Sequence, residues 1–166
     1  MKIPIVDEND SILEYKEHSL LKPNDIYRVS SLWVSNSKGH LLFAQRALSK
    51  KRDPGKWGPA VAGTVEKGET YEENIYKEAE EEIGLRGVLF QKGPKNRIRG
   101  NHQYFCQLFL VSLDQDIGEF HPGKEVEALR WFSKKELLDG LKKNPSFFIP
   151  NADQWLLPTL LLFKDK

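Results

Sequence analysis

The residues best suited to chemistry are glutamates in the segment KEAEEE, which runs from residue 77 to residue 82. If this segment is helical, residues advance by about 100° around the axis, so Glu78, Glu81 and Glu82 share an arc of about 100°. Like charges at this spacing repel, and a buried carboxylate without a partner is costly. A divalent cation that prefers oxygen ligands, such as Mg²⁺, would offset both costs.

Apolar spacing in the same segment singles out one of these glutamates. Tyr71, Ile75, Ala79 and Ile83 recur at helical intervals and form the stripe expected to face a core. Glu82 falls within the edge of that stripe, where solvation explains it least. An ordinary solvated acidic face is the alternative, because glutamate is a good helix former. Spacing alone leaves both interpretations open.

The flanking elements must hold this segment in place. Thr70 to Ile83 has helical spacing and ends at Gly84, a common residue after a helix. Before it, the sequence predicts core strands at 27–34 and 41–45, a basic loop at 46–56 and an extended segment at 57–62.

Later elements complete the predicted fold. We expect strands at 88–91, 103–113 and 128–132, then a helix capped by Ser133 with Glu136 at the capping-box position. A last helix over 153–163 contains Pro158, which favours a late start or a kink. Mixed strands and helices with short linkers predict one α/β domain over 1–166, with a hairpin extension at 1–25, a core at 26–142 and a C-terminal helix at 150–166.

The sequence GTVEKGETYEENIYKEAEEEIGL, from Gly63 to Leu85, resembles the Nudix signature G-x5-E-x7-R-E-U-x-E-E-x-G-U, where U is a bulky aliphatic residue. Lys77 replaces the usual arginine, and Ala79 is small for its position. The resemblance implies a Nudix-type α/β/α sandwich with a mixed β-sheet. It also implies a magnesium-dependent pyrophosphohydrolase, with Mn²⁺ as a possible substitute. The substrate would be a nucleoside diphosphate linked to another moiety, or a related organic diphosphate.

The same resemblance implies roles for individual residues. Metal ligands would be Glu78, Glu81, Glu82 and the backbone carbonyl of Gly63. The general base would be Glu81 or Glu82, with Glu125 from a later loop as the other candidate; Glu125 is equally well explained as a solvated loop acid. The usual arginine orients a carboxylate through a two-pronged fork, which Lys77 cannot reproduce, so we expect slower catalysis.

Basic residues before the signature are candidates for binding phosphate. They are Arg46, Lys50, Lys51, Arg52 and Lys56, of which Arg46, Lys50 and Lys56 are the predicted substrate-binding residues. Runs of charge are usually ordinary surface, which is the alternative here.

Two competing functions share this fold. Ala44 to Glu69 looks like the isopentenyl-diphosphate-isomerase-like branch, yet Ala62 stands at the isomerase cysteine position and Thr64 replaces its histidine. His102 and Tyr104 stand about where the isomerase needs acids. A non-catalytic nucleotide-sensing module is the other competitor, although such modules often lose the glutamates retained here.

Composition sets the remaining expectations. The chain has 166 residues, 39% hydrophobic and 30% charged, and a net charge of +1, which argues against general nucleic-acid binding. A single cysteine, Cys106, excludes an intrachain disulfide and fits a cytoplasmic location. The first residues resemble neither a signal peptide nor a membrane span. We expect a small-molecule diphosphate as partner, no membrane association, and a monomer or homodimer.

Overall fold

The computed structural model describes residues 1–164. In this part of the chain a single mixed sheet contains nine strands, which are β1 (Lys2–Val6), β2 (Ile12–Glu17), β3 (Ile26–Ser35), β4 (Leu41–Arg46), β5 (Trp57–Pro59), β6 (Val61–Thr64), β7 (Gln91–Ile98), β8 (Gln103–Ser112) and β9 (Val126–Phe132). The α-helices are α1 (Tyr71–Ile83), α2 (Lys134–Lys143), α3 (Ala152–Trp155) and α4 (Leu157–Leu160). None of the described helices is both long and apolar enough to cross a membrane.

Strand β3 organises the sheet. It runs parallel to β8 over its whole length, from the pair Ile26 and Gln103 to the pair Ser35 and Ser112. It is antiparallel to β6, to β1 and, at its far end, to β4. Strand β4 in turn pairs with β5 and β9. The strand that leads into the glutamate helix, β6, is therefore bonded directly to the centre of the sheet.

The two faces of the sheet carry separate cores, because successive side chains of a strand point to opposite sides. Leu32 and Val34 of β3 pack with Ile75, Ala79 and Ile83, the apolar stripe of α1. On the other face, Trp33 packs in a cluster with residues of α2, α3 and α4, including Leu137, Trp155 and Leu160. Helices thus cover both faces, and the predicted α/β/α sandwich is confirmed.

Local signals set the ends of the two longer helices. Thr70 and Glu73 form a capping box at the start of α1, and Ser133 and Glu136 form one at the start of α2. Helix α1 ends at Gly84, whose φ of 69° is in the left-handed region that favours glycine.

Two predicted elements were placed wrongly. The strand expected at 88–91 lies at Gln91–Ile98 instead, because the Phe90 ring stacks on Tyr76 of α1 and holds the preceding segment in a loop. Among the described strands, β7 pairs with β8 alone, and it contains Pro94 beside a register shift. It therefore lacks the apolar alternation that would have marked it as a strand.

The last helix, expected over 153–163 with a late start or a kink at Pro158, is instead two short helices. Helices α3 and α4 each have four residues and meet at Leu156, because Pro158 has no N–H for a continuing helix. The last two residues of the expected C-terminal helix, 165 and 166, lie outside the described residues.

Strands β1 and β2 form a hairpin, and the Asp10 side chain at its turn fastens it to the core. Its carboxylate accepts hydrogen bonds from Arg28 Nε at 2.7 Å, Lys95 Nζ at 2.6 Å and the Tyr71 hydroxyl at 2.9 Å. Burial raises the Asp10 pKa, but these donors outweigh burial and hold the pKa below its usual value. Because Tyr71 begins α1, the clamp ties the hairpin directly to the glutamate helix.

Candidate active site

Strand β6 passes very close to the glutamate helix α1. A Cβ atom added to Gly63 would lie 2.4 Å from Glu78 Cγ and 3.0 Å from Glu78 Oε1. Only a residue without a side chain permits this approach. The Gly63 backbone and the Glu78 carboxylate therefore lie side by side.

Glu82 is the second carboxylate of this group. Its Oε2 accepts a hydrogen bond from the Ala62 backbone N–H at 3.2 Å. Burial and repulsion from Glu78 raise the pKa of Glu82 to about 8. Burial also raises the pKa of Glu78 to about 7, with Glu81 adding to the effect and Lys77 opposing it. The two acids thus form an electrostatically unfavourable pair in the metal-free protein.

Glu69 and Lys77 form an ion pair that joins the loop before α1 to the helix. Lys77 Nζ donates to Glu69 Oε1, while Glu69 Oε2 accepts from the Glu66 N–H at 3.1 Å and from Asn74 Nδ2 at 2.9 Å. Lys77 Nζ also lies 3.8 Å from Glu78 Oε1. Lys77 therefore lies beside the carboxylates of Glu69 and Glu78 and helps to hold them in position.

A second loop is fixed against the end of α1. The Gly123 N–H donates to the Glu82 carbonyl at 2.9 Å, and the His121 N–H donates to the Ile83 carbonyl at 3.0 Å. The Glu125 carbonyl accepts from the Ala47 N–H at 2.9 Å, and its carboxylate pairs with Lys50 Nζ at 3.1 Å. These bonds hold Glu125 beside both the helix and the basic loop.

A cavity of about 800 Å³ lies among these segments. Its acidic lining consists of Glu66, Glu78, Glu81, Glu82 and Glu125, and its basic lining consists of Arg46, Lys50, Lys51, Arg52 and Lys124. Gly63 also lines it. The structure thus brings together most of the residues selected from the sequence, with carboxylates facing cations across one space.

Lys56 is a correction to the predicted phosphate-binding set. Its Nζ donates to the Ser146 carbonyl at 2.7 Å, and the residue lies beside a different groove, next to Pro145 and Ile149. The loop turns at Gly55, so the residues before and after the turn point to different places. Arg46 stays at the cavity, where its Nε donates to the Arg52 carbonyl at 3.0 Å.

His18 and Lys124 line the cavity as well, although the sequence did not mark them. Lys124 adjoins Glu125, so that loop offered a weak signal. His18 follows β2, and its approach depends on how the hairpin docks, which local sequence does not encode.

Comparison with known proteins agrees with this geometry. The sequence model of the NUDIX domain matches residues 26–152. The chain belongs to the NUDIX domain family. An uncharacterised Nudix hydrolase of Yersinia pestis is 33% identical over 89 residues, covering 53% of this chain and 49% of that protein. An isopentenyl-diphosphate Delta-isomerase of Salmonella heidelberg is 36% identical over 87 residues, covering 50% of this chain and 47% of that protein. The matched regions span about half the length of these curated relatives.

Solved structures agree on the Nudix fold. DR0079 from Deinococcus radiodurans superposes with a TM-score of 0.81 at 21% identity, covering 96% of this chain and 99% of that one. A MutT protein from Methanosarcina mazei gives a TM-score of 0.67 at 19% identity, covering 86% of this chain and 96% of that one. At this level of identity the likeness establishes the fold.

The carboxylates of this Nudix site suit a hard divalent cation. Within residues 1–164, no three His, Cys, Asp or Glu side chains already converge at metal-ligand positions. Mg²⁺ does not require such a cluster, since one or two carboxylates commonly hold it together with water and substrate phosphates. Glu78 and Glu82 supply two neighbouring carboxylates whose repulsion a cation would relieve, so the donor set fits the ion.

Proposed function

We propose that this chain hydrolyses the diphosphate bond of a small organic diphosphate and that the reaction depends on Mg²⁺, with Mn²⁺ as a possible substitute. The observation that carries the proposal is the cavity itself, where Glu78 and Glu82 share the lining with the cation Arg46. Diphosphates are dense anions that need both a metal and cationic side chains to bind among carboxylates. Family membership supports the same reaction class.

The metal would be held by Glu78, Glu82, Glu81 and the Gly63 carbonyl. When bound, Mg²⁺ neutralises phosphate charge and lowers the pKa of a coordinated water. Glu82 is oriented by the Ala62 N–H, and Glu78 is confined beside Gly63. Lys77 acts through Glu69 as a positioning residue, since its ammonium contacts carboxylates at the edge of the site.

The general base is Glu81 or Glu82, with Glu125 as the alternative. Glu81 is exposed on the cavity side of α1, so it is able to receive a proton from water without first leaving a buried contact. Glu125 reaches the same cavity from the loop after the helix, but it already pairs with Lys50. Comparing kcat for Glu81→Gln and Glu125→Gln distinguishes them, because loss of a general base typically costs about 10²–10⁴-fold.

Arg46 and Lys50 are the proposed phosphate-binding residues. Arg46 forms no ion pair with any carboxylate within residues 1–164, so its charge is available to a ligand. Lys50 is paired with Glu125, and a bound phosphate would compete for it. This arrangement couples substrate binding to the release of Glu125.

A screen of organic diphosphates with and without Mg²⁺ tests the proposal. It should include nucleoside triphosphates, nucleotide sugars, dinucleoside polyphosphates and prenyl diphosphates, with the phosphorylated cleavage products separated by ion-exchange chromatography as the measurement. We expect Mg²⁺-dependent turnover that Glu82→Gln lowers by at least about 10²-fold. Glu80→Gln is the matched control, since Glu80 is exposed on the same helix and pairs with Arg86. Binding without cleavage of any compound would favour a nucleotide-sensing module and refute hydrolysis.

Isopentenyl-diphosphate isomerisation is the second candidate, favoured by the similarity to the Salmonella isomerase. The chain has Ala62 and Thr64 where that reaction was expected to need a cysteine and a histidine. Tyr104, on the later strand, packs against the Tyr27 ring at 5.5 Å between centroids. An isomerase assay with isopentenyl diphosphate decides between the two, and robust turnover would overturn the hydrolase proposal.

A further inference from the structure

Arg52 lies at the cavity wall and forms no ion pair with any carboxylate of residues 1–164. Its Nη1 contacts the His102 ring instead, at 3.2 Å from Nε2 and 3.5 Å from Nδ1. A guanidinium that has several donors and no anionic partner is a strong anion-binding group. Arg52 is thus a cation without a counter-charge at a cavity large enough to hold a small-molecule ligand.

The surroundings of Arg52 come from three different parts of the chain. His102 precedes β8, Tyr27 lies on β3, and His18 lies in the single 3₁₀ turn that follows β2. The His18 ring stands edge-on to Tyr27, with 6.4 Å between centroids. The contact with His102 places the Arg52 guanidinium at this end of β3, where Ile26 pairs with Gln103. Burial raises the pKa of Tyr27, and the nearby Arg52 charge lowers it.

This end of the cavity lies away from Glu82. Ala62, whose N–H binds Glu82, pairs with Ser31 on β3. Tyr27 lies four residues back along the same strand, a separation of about 13 Å at the usual rise of a β-strand. A phosphate bound by Arg52 is therefore a different group from one bound beside Glu82.

The two histidines at this end are suited to neutral hydrogen bonding. Burial and the neighbouring Arg52 charge lower the pKa of both His18 and His102. A neutral imidazole that accepts from Arg52 through one nitrogen keeps its other N–H as a donor. Arg52 would supply the positive charge, and the imidazole N–H groups would orient the bound anion.

We propose that Arg52, His18 and His102 form an anion subsite that binds a phosphate group of the substrate separate from the scissile diphosphate. The substrate class is then an organic diphosphate that carries a further phosphate group. Its use by a substrate rests on the proposed function, whereas anion binding at Arg52 does not. The hairpin contributes to this subsite through His18, and the Asp10 clamp holds the hairpin in place.

Titration of the metal-free protein with inorganic phosphate tests the subsite. Without a metal, Glu78, Glu81 and Glu82 repel phosphate from the Arg46 side of the cavity, so we expect the anion at Arg52. The imidazole NMR signals of the four histidines report the position. We expect saturable shifts of His18, which lines the cavity, and of His102, which contacts Arg52. Within residues 1–164 neither His40 nor His121 lines the cavity or contacts Arg52, so both serve as internal references.

Substitutions complete the test. Arg52→Gln should weaken phosphate binding by at least about tenfold, the loss expected for a charge-assisted hydrogen bond. Arg86→Gln, at an arginine exposed on another surface, should leave binding unchanged. Absence of saturable shifts, or phosphate binding that survives Arg52→Gln, would overturn the subsite. Phosphate binding without any Mg²⁺-dependent hydrolysis would instead refute the proposed function and leave the subsite standing.

Discussion

Glu78 packs against Gly63 so closely that a methyl group on residue 63 would lie 2.4 Å from Glu78 Cγ. Gly63→Ala should therefore push the Glu78 side chain out of its present position. Because displacement of a catalytic group by about 1 Å costs on the order of 10²-fold, we expect kcat/KM to fall by roughly that factor. Steady-state kinetics over a range of Mg²⁺ concentrations measures the effect.

Gly58→Ala is the control for this substitution. The three nearest neighbours of its added Cβ would all be side-chain atoms of Ile149, the nearest being the terminal Cδ1 at 3.2 Å, which is able to turn away. We expect nearly unchanged kinetics from Gly58→Ala. Full activity in Gly63→Ala would show that the position of Glu78 is not critical.

Lys77→Arg should increase activity. Lys77 Nζ binds Glu69 and lies 3.8 Å from Glu78 Oε1, a gap that a single ammonium does not close. A guanidinium has two donating edges, so one edge is able to bind Glu69 while the other orients Glu78. One added hydrogen bond contributes about 1 kcal/mol, and we expect kcat/KM to rise roughly three- to tenfold.

Lys77→Gln provides the opposite comparison, because it keeps a polar group but removes the charge that holds Glu69. It should lower kcat/KM and also the midpoint of thermal unfolding. If the arginine variant is slower than the parent chain, the ion pair with Glu69 requires lysine. The proposal that a second donor would orient Glu78 then fails.

The sequence predicted the parts of the site that depend on local spacing. One strand-loop-helix segment contains Gly63, Glu78 and Glu82. The angular position of Glu82 around the helix axis already placed it at the edge of the apolar stripe. The structure agrees, with the Glu82 side chain bonded to Ala62 and its pKa raised by burial. Helix periodicity and capping residues are local signals, so this segment could be predicted from the sequence.

Other parts depend on contacts between distant segments, which spacing does not encode. Lys56 shares a basic run with Lys50 but lies beyond the turn at Gly55 and contacts Ser146. His18 reaches the cavity only because Asp10, at the hairpin turn, is bonded to Arg28 and Tyr71. The edge strand β7 was misplaced because it lacks the burial pattern of a central strand.

The metal-free protein should lose stability as the pH rises. Glu82 has a folded pKa of about 8 and Glu78 of about 7, both above the ordinary value near 4.5. The folded state thus holds protons that the unfolded state has released, so this contribution is complete below about pH 4.5 and lost as pH rises through 7 and 8. Calorimetry in EDTA between pH 5.5 and 9 measures the fall in Tm.

Mg²⁺ should reverse this trend, because it binds the deprotonated carboxylates and competes with protons. We expect the rise in Tm on adding Mg²⁺ to be larger at pH 8.5 than at pH 6. Glu82→Gln should weaken the pH dependence of Tm in EDTA and the pH dependence of the Tm rise with Mg²⁺. Glu80→Gln should change neither. An equal Mg²⁺ effect at both pH values would argue against these carboxylates as ligands.

Gly123→Ala should separate the Glu125 loop from the catalytic helix. An added Cβ would lie 2.4 Å from the Glu81 carbonyl oxygen, and backbone cannot turn aside as a side chain does. The loop must therefore shift, which lengthens the bond from the Gly123 N–H to the Glu82 carbonyl and moves Glu125 away from Lys50. Overpacking of this kind costs about 1–3 kcal/mol of unfolding free energy, which chemical denaturation should reveal. Steady-state kinetics should show a reduced kcat.

Gly118→Ala is the matched control, since a Cβ there has no neighbour within 4 Å, and it should leave stability and kcat unchanged. Equal behaviour of the two alanine variants would mean that contact between this loop and α1 does not position Glu125.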